Sequence, residues 1–187
     1  MKHRNRTGFG CMTLILLILA LGIFRLWNRF DIPAEGTFGE GDRIIAAFAA
    51  EHGLSLSDYP EELRALLERN PETEDFVLHY PLDRDTPMDV DLSGYDPADG
   101  VPLFLQWDRR WGSLEYGRQP AALTACGPTC LSMVGWYLTG DEAFSPDRMI
   151  EFANQNGYYS PGSGSSWTLI SEGGVKLGLD VTEIPLV

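Results

Sequence analysis

The chain reads as an α/β protein of the α+β kind, and three features predict it. Several stretches carry apolar residues at three- and four-residue spacings between turn residues, the pattern of amphipathic helices. Residues 101–108 form an extended apolar run, and residues 180–184 (DVTEI) read as the start of a strand. A cysteine stands at the mouth of one helix, in Ala125-Cys126-Gly127-Pro128-Thr129-Cys130.

The first thirty residues are separable from the rest. Lys2, His3, Arg4 and Arg6 precede an uncharged stretch from Thr7 to Phe24, eighteen residues long and at the short end of a bilayer span. Positive charge before that stretch predicts an amino terminus left in the cytoplasm. The apolar run continues past Ala20-Leu21-Gly22, a poor cleavage site, so an uncleaved signal anchor is favoured over a removed signal peptide. Cys11 precedes the apolar run, which argues against lipoprotein processing. The expected location is the cell membrane, single-pass, with the C-terminal part extracytoplasmic, or secreted if the segment is cleaved.

Charge narrows the partners. The chain holds 14 Lys and Arg against 27 Asp and Glu. Five of the basic residues and none of the acidic ones lie in the first thirty, leaving 9 against 27, a net −18, for the remainder. Such a surface repels nucleic acid, and no basic stripe with interleaved aromatics offsets it. Nucleic-acid binding is set aside.

Residues 31–80 read as a short helical stalk. Its opening, to residue 40, is a Pro- and Gly-containing linker, and residues 42–52 are an amphipathic helix stopped by Gly53. A second helix runs from Pro60 to Asn70, with Glu61 and Glu62 in its first turn and Leu63, Leu66 and Leu67 as its stripe. Residues 76–80 suit a helix end or an extended segment equally. Residues 81–100, rich in Asp, Pro and Gly, are an acidic linker. The functional domain then occupies residues 101–187.

Within that domain Gly127-Pro128 opens a helix, since Pro128 fixes φ near the helical value and its missing N–H is no loss in a first turn. Cys130, Leu131, Val134, Tyr137 and Leu138 supply an apolar stripe, and Gly140 suits a left-handed cap. Ser145-Pro146 starts another helix that Gly157 stops. Residues 158–166 are a loop, and residues 167–177 are expected to form a third helix.

Three cysteines do not make a disulfide framework. Cys126 and Cys130 are one helical turn apart, which is awkward for a bridge, and no histidine nearby completes a metal set. Ahead of a first turn, free backbone N–H groups and the helix dipole favour the thiolate. That arrangement serves nucleophilic cysteine catalysis, although a buried packing cysteine is the commoner case.

Four motifs together carry a resemblance: Val101-Pro102 with Gln106-Trp107-Asp108, Arg110 and Trp111-Gly112; Cys126-Gly127-Pro128-Thr129-Cys130; Asn156-Gly157-Tyr158-Tyr159; and Gly162-Ser163-Gly164-Ser165-Ser166-Trp167. In this order they resemble the bacteriocin-processing-like cysteine peptidases of the papain superfamily, many of them extracytoplasmic proteins of Gram-positive bacteria. Residues 70–77 also resemble the helical region preceding that domain in membrane-anchored members.

The resemblance implies a papain-like fold, of which this chain would hold the N-terminal helical half. It implies Cys126 as the nucleophile and Gln106 as the amide that helps form the oxyanion hole. It implies no cofactor, and a peptide or cell-wall peptide as substrate. The family's base histidine and its Asp or Asn orienter have no counterpart here: no histidine follows Cys126, and the others are His3, His52 and His79. The expectation is therefore a peptidase domain incomplete at its C-terminus, unstable or partly disordered beyond Gly100. The activity expected is cleavage of peptide bonds by a cysteine nucleophile. The alternatives are a peptidoglycan amide hydrolase, or an inactive remnant that binds through Trp107, Trp111, Tyr116, Tyr158, Tyr159 and Trp167.

Overall fold

The computed structural model describes residues 39–86 and 88–184. The expected membrane anchor at residues 1–30 lies outside them. Among the described residues no helix is long and apolar enough to cross a membrane.

The described chain is helix-rich α+β. Helix α1 (Glu40–His52) ends at Gly53, helix α2 (Glu61–Arg69) begins after Pro60, and a turn at Pro71–Thr73 leads into helix α3 (Glu74–Asp83). Glu74 and Asp75 fall in the first turn of α3, where the exposed N–H groups favour acidic side chains. Residues 76–80, open between two readings from sequence, are thus helical. Asp42 and Arg64 tie α1 to α2 through paired bonds of 2.8 and 2.7 Å.

Past the acidic connector, the hairpin β1 (Glu115–Tyr116) and β2 (Gln119–Pro120) runs into a single helical turn, α4 (Ala121–Thr124). The chain breaks at Ala125 and resumes as α5 (Cys126–Thr139), which Gly140 ends at φ 66°. Helix α6 (Pro146–Gln155) lies against α5, and a second hairpin, β3 (Tyr159–Ser160) with β4 (Gly164–Ser165), follows it. Both sheets are two-stranded and antiparallel.

Two expectations are corrected here. Residues 180–184 join no strand, and residues 101–108 are irregular, held by turns and by the burial of Phe104. The helix expected over 167–177 is present, as a π-helical turn, Leu169–Gly173, leading into one α turn, α7 (Gly174–Lys176).

Two apolar cores form. One gathers Ile45, Leu63, Leu67, Phe76, Val77 and Ala122, and the other gathers Phe104, Trp111, Tyr116, Ala121, Leu131, Trp136, Met149, Ile150 and Leu169. Helix α4 is where they meet, with Ala121 in one and Ala122 in the other. Phe76 packs so closely on Gly112 that a Cβ there would lie 2.7 Å from its ring. Arg109 bonds Asp83 at 2.7 Å across the same seam. Residues 39–184 therefore pack as one unit, and the division into stalk, linker and domain is one of composition rather than of packing. The acidic connector takes part through Leu92, which is buried, and Asp91, whose carbonyl accepts from Arg110 at 2.7 Å.

Candidate active site around Cys126

The buried face of α5 is not its apolar stripe. Pro128, Thr129, Leu131, Ser132, Gly135 and Trp136 point inward, while Val134, Tyr137 and Leu138 are exposed. Small residues win the inner face because α6 and the turn before it come very close. Gly135 lies under the Phe144 ring, and the Ser132 hydroxyl donates to the Phe144 carbonyl. Cys126 and Cys130 both lie exposed. Partial desolvation, then the neighbouring Cys126, raise the Cys130 thiol above its ordinary value.

Cys126 is the first residue of α5 rather than lying ahead of it. The break at Ala125 gives that position its chemistry. Ala125 N–H bonds Ala121 O and Thr129 N–H bonds Ala125 O, both within 3.0 Å, but among the described residues no acceptor meets the N–H of Cys126 or of Gly127. In an unbroken helix the Cys126 N–H would go to Ala122 O. That carbonyl is taken instead by Gln106, whose Nε2 donates to Ala122 O at 2.8 Å and to Ala121 O at 3.0 Å.

Gln106 is therefore close to the nucleophile's turn but is not aimed at it. Both hydrogens of its amide are committed to α4 carbonyls, and among the described residues none reaches a group of Cys126. The rest of its motif is architectural. Asp108 grips Arg110 at 2.9 and 2.7 Å, Arg110 lies over the Trp111 ring, and Trp111 donates to Leu105 O at 2.9 Å.

The second hairpin closes on the same point. Gly164 has φ 76°, and a Cβ there would lie 2.7 Å from the Thr124 carbonyl oxygen. Only glycine fits both demands. Ser165 next to it packs on Gly127, where a Cβ would come 2.5 Å from the Ser165 Oγ. The Ser165 hydroxyl is 2.8 Å from the Tyr116 Oη, and Tyr116 is fully buried. Burial raises the Tyr116 phenol above its ordinary range; the bond to Ser165 opposes this, and Cys126 and Tyr159 add to it. Tyr116 is fixed in turn by Tyr159, edge-on at 5.4 Å, and Asn154 holds the first hairpin through Glu115 O at 2.7 Å.

Sequence reasoning offered Tyr116 only as one of six groove aromatics and gave Ser165 no role of its own. Ser165 lay in a motif it quoted, and the available signal was the glycine spacing around it. Of the six aromatics offered as a groove, Trp111, Tyr116 and Tyr158 are buried core, whereas Trp167 is 89 % exposed. His52 and His79 lie in the helical layer, each facing the Phe48 ring, at 3.9 and 5.0 Å, and each bonded to a carbonyl four residues back on its own helix. Neither accompanies Cys126. Among the described residues no three His, Cys, Asp or Glu side chains gather as metal ligands. A cavity of about 500 Å³ lies elsewhere, between Asp83, Arg84, Arg109, Arg110 and Arg118.

Compared with protein-family models, with curated proteins and with solved structures, the chain matches none.

Proposed function

We propose that this chain belongs to an extracytoplasmic cysteine peptidase with Cys126 as its nucleophile, in a papain-like arrangement of helix and small sheets. The observation that carries the reading is an exposed thiol on the first residue of α5, beside two backbone N–H groups without acceptors among the described residues. In the proposed reaction the Cys126 sulfur attacks the carbonyl carbon of a peptide bond, and the π electrons pass to oxygen. The tetrahedral intermediate collapses by breaking the C–N bond, the thiol proton leaves with the amine, and water then releases the acid from the thioester. In this reading the two N–H groups without acceptors are the backbone donors to the oxyanion. The base is assigned to none of the described residues, since His52 and His79 are held in the helical layer.

A peptide of the cell wall is as suitable a substrate as a protein, given the apolar N-terminal segment and the acidic remainder. The test is alkylation by iodoacetamide at pH 6, read residue by residue by tandem mass spectrometry. Cys126 is expected to react at least tenfold faster than Cys130, whose thiol is held protonated. Equal, slow alkylation of both would remove the nucleophile from the proposal and leave a binding role.

A further inference from the structure

Backbone N–H groups at Cys126 and Gly127 leave room for a side-chain donor to the oxyanion, and Gln106 is not free to be one. Its amide is spent on Ala121 O and Ala122 O, and releasing it would orphan the carbonyl that the break at Ala125 left without its helical partner. Another donor already stands at the turn. Ser165 packs on Gly127, the residue after Cys126, and its Oγ is 2.8 Å from the Oη of fully buried Tyr116.

The Tyr116 hydroxyl has no other partner among the described residues. When it donates to Ser165 Oγ, the Ser165 proton is left to point elsewhere. Ser165 is half-buried and packs on Gly127, the residue after the exposed thiol. A hydroxyl polarised by a buried phenol is a stronger donor than an isolated serine.

We propose that Ser165 is the side-chain oxyanion donor of this site, oriented by Tyr116, and that Gln106 is a positioning residue which keeps the Cys126 N–H free by occupying Ala122 O. This rests on the reading of Cys126 as nucleophile. The two roles are linked through one break in the helix: Gln106 supplies the hydrogen bond that Cys126 withholds, and hairpin β3–β4 brings in the hydroxyl across it.

The experiment separates thiol reactivity from oxyanion binding in the full chain carrying Cys130→Ser. Iodoacetamide reports the thiol alone. A dipeptide aldehyde instead forms a hemithioacetal: a C–S bond forms, the carbonyl π bond opens, and the thiol proton ends on the former carbonyl oxygen, which takes the oxyanion's place. The readout is the aldehyde concentration that half-protects Cys126 from alkylation.

Ser165→Ala is expected to leave the alkylation rate within about twofold while raising that concentration about tenfold or more, as loss of an oxyanion donor should. Tyr116→Phe, which keeps the serine hydroxyl but loses its orienter, is expected to raise it by a smaller factor of about three. Equal half-protection in the parent and in Ser165→Ala overturns the assignment. If Ser165→Ala loses its unfolding transition, Tyr116→Phe decides, and an unchanged half-protection there overturns it too. A parent whose Cys126 alkylates but is never protected by aldehyde refutes the peptidase reading itself, and this inference with it.

Discussion

The Gln106 side-chain nitrogen lies 2.8 Å from the Ala122 carbonyl oxygen, in the position a helix would give to the N–H of Cys126. One side chain from an irregular segment thus completes the hydrogen bonding of α4 while leaving the first residue of α5 uncommitted. Gln106→Ala is expected to destabilise the fold by about 1–3 kcal/mol, because it leaves the part-buried Ala122 carbonyl without a donor, while Ala121 O keeps the Ala125 N–H. Urea titration checks this. A variant as stable as the parent would show that the Ala122 carbonyl finds another donor.

Phe76 belongs to α3 yet seals against Gly112 of the region expected to be a separate domain. Phe76→Ala is expected to cost about 3–5 kcal/mol, the usual loss for a buried aromatic. The transition should stay single, with tryptophan fluorescence and far-ultraviolet circular dichroism coinciding. Two separated transitions would mean that helices α1–α3 unfold apart from the rest.

Gly135 is an instance where helix propensity and packing pull in opposite directions. Alanine would gain about 1 kcal/mol of intrinsic helix preference, but its Cβ would overlap the Phe144 ring, at 1.9 Å from the nearest carbon. Overpacking should win, with a net loss of about 1–3 kcal/mol. Adding Phe144→Leu should recover part of the loss, and a double-mutant cycle measures the coupling. Additive costs would place the clash elsewhere.

Tyr59 makes alkaline stability a measurable quantity. Burial, and then Asp58, push its phenol up to about 12, and its hydroxyl donates to Leu78 O at 3.0 Å. The folded value lies above the ordinary one near 10, so the folded state holds the proton more tightly. Stability is complete below about pH 10 and falls as pH rises toward 12, by on the order of 2–3 kcal/mol for this residue. Tyr59→Phe should flatten that part of the profile, with absorbance at 295 nm reporting the loss of the late-titrating phenol. An unchanged slope would assign the alkaline loss to Tyr80 and Tyr116, whose phenols burial also raises.

Helix ends were the most legible part of the sequence. Pro60, Pro146, Gly53, Gly140 and Gly157 mark observed starts and stops, because a proline's φ and a left-handed cap are set by the residue itself. The position of Cys126 at the entry of α5 was legible for the same local reason. The inward face of that helix was not. The stripe Val134, Tyr137 and Leu138 looked like core, yet Gly135 and Ser132 face inward because Phe144, in the turn before α6, comes too close for anything larger. Residues 180–184 show the same limit, since a strand needs a partner edge that no short window of sequence contains.

What the sequence determined by itself was a helix-rich chain with a thiol at one helix start, since those depend on residues a few positions apart. What only the tertiary structure decided was which groups surround that thiol. Ser165 reaches Gly127 and Tyr116 across 38 and 49 residues of chain, and the Gln106 amide goes to α4 carbonyls rather than to the open turn. Such choices follow from satisfying every buried donor and acceptor at once. That condition is met by the packed fold as a whole, and no single motif states it.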